Sequence, residues 1–177
     1  MDKKILGIHH VTAIASDPQQ NLDFYVGLLG LRLIKVTVNF DDPGTYHLYY
    51  GDEVGHPGTI LTFFLWPRAS KGQHGTGQVT VTSFSIPEGA IGYWLERLRR
   101  HGIAVEGPFA RFDEQVIAFT DPDGLLLELI AHPEAEARSA WEGGPIPAEH
   151  ALRGFFGVTL AEQGYTRTTA LLTDVLD

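Results

Sequence analysis

Gly58-Thr59-Ile60-Leu61-Thr62-Phe63-Phe64-Leu65-Trp66-Pro67 aligns without a gap on Gly124-Leu125-Leu126-Leu127-Glu128-Leu129-Ile130-Ala131-His132-Pro133. Each is an apolar run opened by glycine and stopped by proline, the pattern of a buried strand. Recurrence of such a run marks an internal duplication. A helix of similar size lies upstream of each copy. The first starts near Asp17, which can cap it, with Pro18 at the first helical position and Gln20 at a capping-box-like spacing. Leu22, Val26 and Leu29 form its apolar face, and Gly30 supplies a left-handed stop. The second begins around Glu88 to Ala90, carries the stripe Ile91, Trp94, Leu95 and Leu98, and stops at Gly102.

Strand patterns fill the rest. The stretch 8–15 precedes the first helix, and 31–40, 45–51 and 59–66 follow it. The stretch 79–86 precedes the second, and 103–112, 115–120 and 125–131 follow that one. The order is βαβββ, twice, an α+β fold of tandem modules. Asp41-Asp42-Pro43-Gly44 and Asp121-Pro122-Asp123-Gly124 are turn sequences between strands. The Gly-rich stretch 71–78 lacks the Lys-Ser/Thr and strand context of a phosphate loop. The expected boundaries are a first module over 1–68, a second over 78–132, and a linker rich in Glu, Ala, Pro and Gly over 133–153. Gly157-Val158-Thr159-Leu160 then matches His10-Val11-Thr12-Ala13, so 154–177 reads as the start of an incomplete third module. Two modules are expected to pack side by side, each a four-stranded sheet with one helix.

The 177 residues are 44% hydrophobic and 20% charged, ordinary for a globular chain. The net charge of −9 argues against nucleic acid, because phosphate binding needs clustered Lys and Arg. The one basic cluster, Arg97, Arg99, Arg100 and His101, falls in the last turn of the second helix, where it complements the helix dipole. There is no cysteine, so any metal is held by nitrogen and oxygen ligands. No apolar run has the length of a signal peptide or a membrane span, and the expected location is the cytoplasm.

Specific segments carry a resemblance. These are Gly7-Ile8-His9-His10-Val11-Thr12-Ala13-Ile14-Ala15, Asn21-Leu22-Asp23-Phe24-Tyr25, Leu28-Leu29-Gly30-Leu31, and Asn39-Phe40-Asp41-Asp42-Pro43-Gly44-Thr45-Tyr46-His47, with Gln78-Val79-Thr80-Val81-Thr82 opening the second module. Together they resemble the vicinal oxygen chelate superfamily of glyoxalases, bleomycin-resistance proteins and ring-cleaving dioxygenases. More narrowly, they resemble the ring-cleaving dioxygenases associated with hydroquinone breakdown. Members of that group usually have four modules, so the resemblance implies a truncated chain with an incomplete site.

The resemblance implies a non-haem Fe(II) site, with Mn, Zn or Ni as alternatives, built from two imidazoles and one carboxylate. Its first-strand ligand maps onto His10 and its last-strand carboxylate onto Glu128. Adjacent strand residues point to opposite faces, so His10 is expected to look into the cup and His9 away from it. Glu128 sits among leucines, where a carboxylate is costly without a metal or an arginine partner. Val81 stands where the second histidine belongs, Thr62 takes the carboxylate place in the first module, and Gly157 replaces the histidine in the third. One reading therefore pairs His10 with a module the chain lacks and makes Glu128 structural. His47 is the further candidate, as a substrate-contacting residue or a neighbour of the ligands. The function implied is extradiol-type ring cleavage of a hydroquinone or catechol-like aromatic with O₂. The alternatives are a glyoxalase-type lyase or isomerase, a thiol transferase, or a metal-free binding protein of the bleomycin-resistance kind. The unpartnered strand 155–160 and the apolar stripe over 168–176 predict self-association as a homodimer or larger.

Overall fold

The structure is a computed structural model and describes residues 5–176. Module one runs β1 (His10–Ala15), α1 (Pro18–Leu22), β2 (Arg32–Val38), β3 (Tyr46–Gly51) and β4 (Ile60–Leu65). Module two repeats the order as β5 (Gln78–Ile86), α2 (Ile91–Arg100), β6 (Glu106–Arg111), β7 (Glu114–Thr120) and β8 (Leu126–Ala131). Two elements follow, β9 (Phe155–Ala161) and α3 (Thr166–Asp174). The first sheet has the order β1-β4-β3-β2 and the second β6-β7-β8-β5-β9. In both modules the first strand pairs parallel with the last, His10 opposite Ile60 and Val81 opposite Leu126. No helix among the described residues is long and apolar enough to cross a membrane.

The Asp17 side chain accepts from the Gln20 backbone N–H at 2.8 Å, and α1 begins there. It gives way at once to a π-helical turn, Asp23–Leu28, closed by the Leu29 N–H bonding to the Phe24 carbonyl. The wider turn rotates the buried face away from the expected 3.6-residue stripe. Phe24, Tyr25, Leu28 and Leu29 are buried, while Leu22 and Val26 are only half-buried. Gly30 ends the helix at φ +75°, and the buried Ile146 lies so close that a Cβ there would overlap it. The second helix follows its stripe, with Ile91, Trp94 and Leu98 buried.

The helix-bearing faces of the two sheets share one core. Tyr25 stacks on Tyr50 of β3, while its neighbour Phe24 meets Phe119 of β7. Polar contacts clasp the modules around that core. The Tyr25 hydroxyl donates to Asp121 Oδ2 at 2.9 Å, and Ser16 donates through its N–H and hydroxyl to Asp123. Arg97 of α2 donates to the carbonyls of Gly27 and Leu28, capping the end of the module-one helix. The stretch 133–153 crosses back over module one and delivers β9. Gly154 (φ +85°) passes against the Gly58 carbonyl, leaving no room for a side chain, and the Phe155 N–H donates to that carbonyl at 2.7 Å.

The segment expected to open a third module lies antiparallel on β5, at the edge away from β8. Its helix buries none of its side chains, and Leu171, Leu172 and Val175 stay exposed.

Candidate functional site

The faces of the two sheets turned away from the core are the candidate surfaces. In β1, Val11, Ala13 and Ala15 pack inward, which turns His10, Thr12 and Ile14 outward. The register extends this outer face through Thr62 and Phe64 of β4, His47 and Tyr49 of β3, and Lys35 and Thr37 of β2. His10 is exposed at the edge of this face. His9 lies just before the strand, so alternation does not govern it. Its ring swings round to His10, Nδ1 to Nδ1 at 3.2 Å, and the expected division between the two histidines does not hold.

His47 is half-buried on the same outer face as His10. Its imidazole packs between Phe64 and Tyr49, with ring centroids 4.0 and 4.2 Å away. Tyr49 Oη lies 3.0 Å from Nδ1, and the Lys35 ammonium stands 5.3 Å from the centre of the Tyr49 ring. Burial, then the charges of Lys35 and His10, push the His47 imidazole below the ordinary histidine range. With the hydroxyl donating to Nδ1, the histidine proton sits on Nε2, a buried atom with no partner. That ring sandwich was invisible in the sequence, because it depends on β4 lying beside β3.

Glu128 is on the outer face of the other sheet. Its carboxylate receives two hydrogen bonds from Arg111, at 2.8 and 2.7 Å, and a third from the Ser83 hydroxyl at 2.8 Å. Burial alone would raise its pKa, but the hydrogen bonds and charge of Arg111, with Ser83, hold it below the ordinary carboxylate range. The carboxylate thus accepts three hydrogen bonds, and the arginine partner weighed in the sequence is the arrangement found. Arg111 carried no sequence signal of its own, since it reaches Glu128 only because the β6–β7 hairpin folds across β8.

His10 and Glu128 thus lie on the faces of two different sheets that point away from the shared core. Among the described residues, no three His, Asp or Glu side chains converge on a metal-sized position. Among the described residues, His10 and His9 lie side by side and His47 stands on the same sheet face. This donor set suits part of a divalent site, not a whole one.

A sequence profile of the Glyoxalase/Bleomycin resistance protein/Dioxygenase superfamily matches residues 7–129. The chain belongs to this superfamily. It is 49% identical to the Bacillus subtilis protein named "Putative ring-cleaving dioxygenase MhqO" over 99% of this chain and 56% of the relative. It is 34% identical to the chlorohydroquinone/hydroquinone 1,2-dioxygenase of Sphingobium indicum, over 90% of this chain and 50% of that one. A crystal structure of a dioxygenase, also called putative, from B. subtilis superposes with a TM-score of 0.92 at 48% identity, covering 98% of this chain and 56% of the other. The chain thus spans about half the length of the curated relatives it matches.

Proposed function

We propose that this chain carries part of the site of an Fe(II)-dependent ring-cleaving dioxygenase acting on hydroquinone or catechol-like aromatics. The observation that carries this reading is the exposed His10 imidazole on the same face as the His47–Tyr49–Phe64 stack. In this reading His10 is a metal ligand, and the stack forms an aromatic wall against which a substrate ring lies flat. Lys35 places positive charge beside that wall, favouring the ionised form of a phenolic ring. His47, whose Nε2 is buried, shapes that wall by packing between Phe64 and Tyr49. Fe(II), when bound, would supply Lewis-acid and redox chemistry toward O₂. The two relatives named for ring cleavage and hydroquinone oxidation support the substrate class. Among the described residues, no group of three or more His, Cys, Asp or Glu completes the metal site.

Anaerobic loading with Fe(II), followed by oxygen uptake against hydroquinones and catechols, tests the reading. Uptake that depends on a para- or ortho-dihydroxy ring and falls on His10→Ala supports it. Stoichiometric iron with no uptake on any such ring sinks it. A second reading, a metal-free binding module, is favoured by Val81 at the second histidine position and by the Arg111–Glu128 pair. It requires aromatic ligands to bind equally with and without chelator.

A further inference from the structure

Arg97, Arg99, Arg100 and His101 gather positive charge at the C-terminal end of α2, in a chain whose net charge is −9. That helix end needs no further capping. The carbonyls of Arg97, Leu98 and Arg99 already accept the backbone N–H groups of His101, Ile103 and Gly102. Spacing then divides the four residues. Arg97, Arg100 and His101 stand three and four apart and share one side of the helix, and Arg99 projects elsewhere. Tyr93 and Glu96 complete a cleft around those three.

Arg97 is fixed in that cleft. Its Nε and Nη2 donate to the carbonyls of Leu28 and Gly27, at 2.8 and 2.7 Å, across the junction between modules. Both acceptors are neutral, and among the described residues no carboxylate pairs with its guanidinium. The charge is oriented but not neutralised. Tyr93 gives the cleft an aromatic side, its ring stacked on His150 at 4.3 Å and its hydroxyl 3.5 Å from Arg97 Nη1. Arg100 donates to Glu96, one turn earlier, through one of its N–H groups. His101 Nδ1 lies 2.8 Å from the Arg97 carbonyl, which can only accept, so Nδ1 carries a proton.

We propose that this cleft binds a phosphate group, free or carried on a small molecule. Two guanidinium groups offer forked N–H donors from separate side chains, and the Tyr93 hydroxyl adds a third donor. A tetrahedral oxyanion has oxygens for all of them, whereas a planar carboxylate is filled by one fork. Arg97 reaches from the cleft to the end of the module-one helix, so an anion held there braces the contact between modules. The cleft lies on α2, apart from the outer sheet face that carries the proposed function, and neither depends on the other.

The test titrates the 177-residue chain with inorganic phosphate by calorimetry, in sodium chloride at fixed concentration. Binding should saturate at one phosphate per chain and raise the thermal midpoint of unfolding. Arg100→Gln should weaken it about tenfold. Arg99→Gln removes the same charge from outside the cleft and should change it less than about twofold. Glu96→Gln frees the Arg100 fork and should tighten binding about threefold. All three side chains are exposed, so these variants keep the fold. Phenyl phosphate in place of phosphate separates the two sources: tighter binding assigns the cleft to a phosphate ester, and exclusion of the ester assigns it to the free ion. No saturable binding at millimolar phosphate, equal losses in Arg99→Gln and Arg100→Gln, or benzoate binding as tightly as phosphate would overturn the proposal.

Discussion

The same cross-strand pair in the two sheets has been put to different uses. In module one it is Thr12 and Thr62, whose hydroxyls bond at 2.9 Å. In module two it is Ser83 and Glu128, with the carboxylate also clamped by Arg111. One position before that pair on the first strand stands His10 in module one and Val81 in module two. The first sheet keeps an exposed imidazole and no carboxylate; the second keeps a buried carboxylate and no imidazole. Their edges differ too, since β9 pairs with the edge of β5 while no described strand pairs with the outer edge of β1. Duplication gave two equivalent surfaces, of which one is internally satisfied and the other is left with unmet donors and acceptors. A site needs unmet valence, and this is why the proposed function is placed on the outer face of module one.

The largest effect should come from breaking the satisfied sheet. Arg111→Met leaves the Glu128 carboxylate buried, about 7% exposed at its side chain, without its cation. Losing one partner of a buried pair costs about 3–5 kcal/mol. Because the Arg111 side chain remains 38% exposed, we expect about 3 kcal/mol by urea unfolding. Arg111→Met combined with Glu128→Leu should recover most of it. If the single variant unfolds like wild type, the ion pair is not what holds this face.

Next in size is the clasp between modules. Tyr25→Phe removes the hydroxyl that donates to Asp121 Oδ2, in a site where both residues are buried. Burial raises the Asp121 pKa against the pull of its hydrogen bonds, and it pushes the Tyr25 hydroxyl well above its ordinary range. Deleting the donor should cost about 1–3 kcal/mol, measured by the same unfolding curves. Loss of cooperativity, with two transitions replacing one, would show that this contact couples the modules.

The strand order and both turn sequences were legible in the sequence because each depends on local pattern, apolar runs punctuated by Gly and Pro. The module-one helix was legible in position but not in face. Its π-helical turn is set by Phe24 and Tyr25 packing against β7 and β3, which a 3.6-residue stripe cannot encode. Nor could pattern place β9. An isolated strand carries no mark of its partner, and only the repeat alignment, read through the observed register, explains why it seats on β5. For the site, His10 came from the family resemblance and alternation gave only its opposite sense to His9, which fails because His9 precedes the strand and turns to meet His10. The buried glutamate was legible as a problem, since a carboxylate among leucines needs a partner. Which partner required the hairpin to fold.

Acid should separate the two carboxylates that distinguish module two. The Glu128 pKa is held below its unfolded value, so it contributes stability that is present above the ordinary carboxyl range and is lost as pH falls through its folded value. Asp121 is raised, so it contributes in the opposite sense, present below its unfolded value and lost as pH rises through the folded one. Unfolding free energies of wild type and Glu128→Gln should therefore converge as pH drops from about 6 to about 3. Those of wild type and Asp121→Asn should not converge in that direction. Parallel curves for Glu128→Gln would mean that the carboxylate is not ionised against Arg111 in the native state.

The smallest expected change in stability is the most informative about function. His10→Ala removes an exposed side chain whose contact in a single copy is the His9 ring, itself exposed. Substitutions at such positions fall within about 0.5 kcal/mol of neutral. If His10 were a hydrogen-bonded structural residue, its loss would leave a partner unsatisfied and cost about 1–3 kcal/mol. Unfolding of the metal-free protein under chelator thus separates the two roles before any ligand is added. A near-neutral His10→Ala, set beside a costly Arg111→Met, would establish that the two outer faces differ in kind. The first would then hold an imidazole that the fold does not need, which is the condition for a residue kept for binding. A cost near that of Arg111→Met would instead make module one a second satisfied surface, and the search for a site would move to the His47 stack.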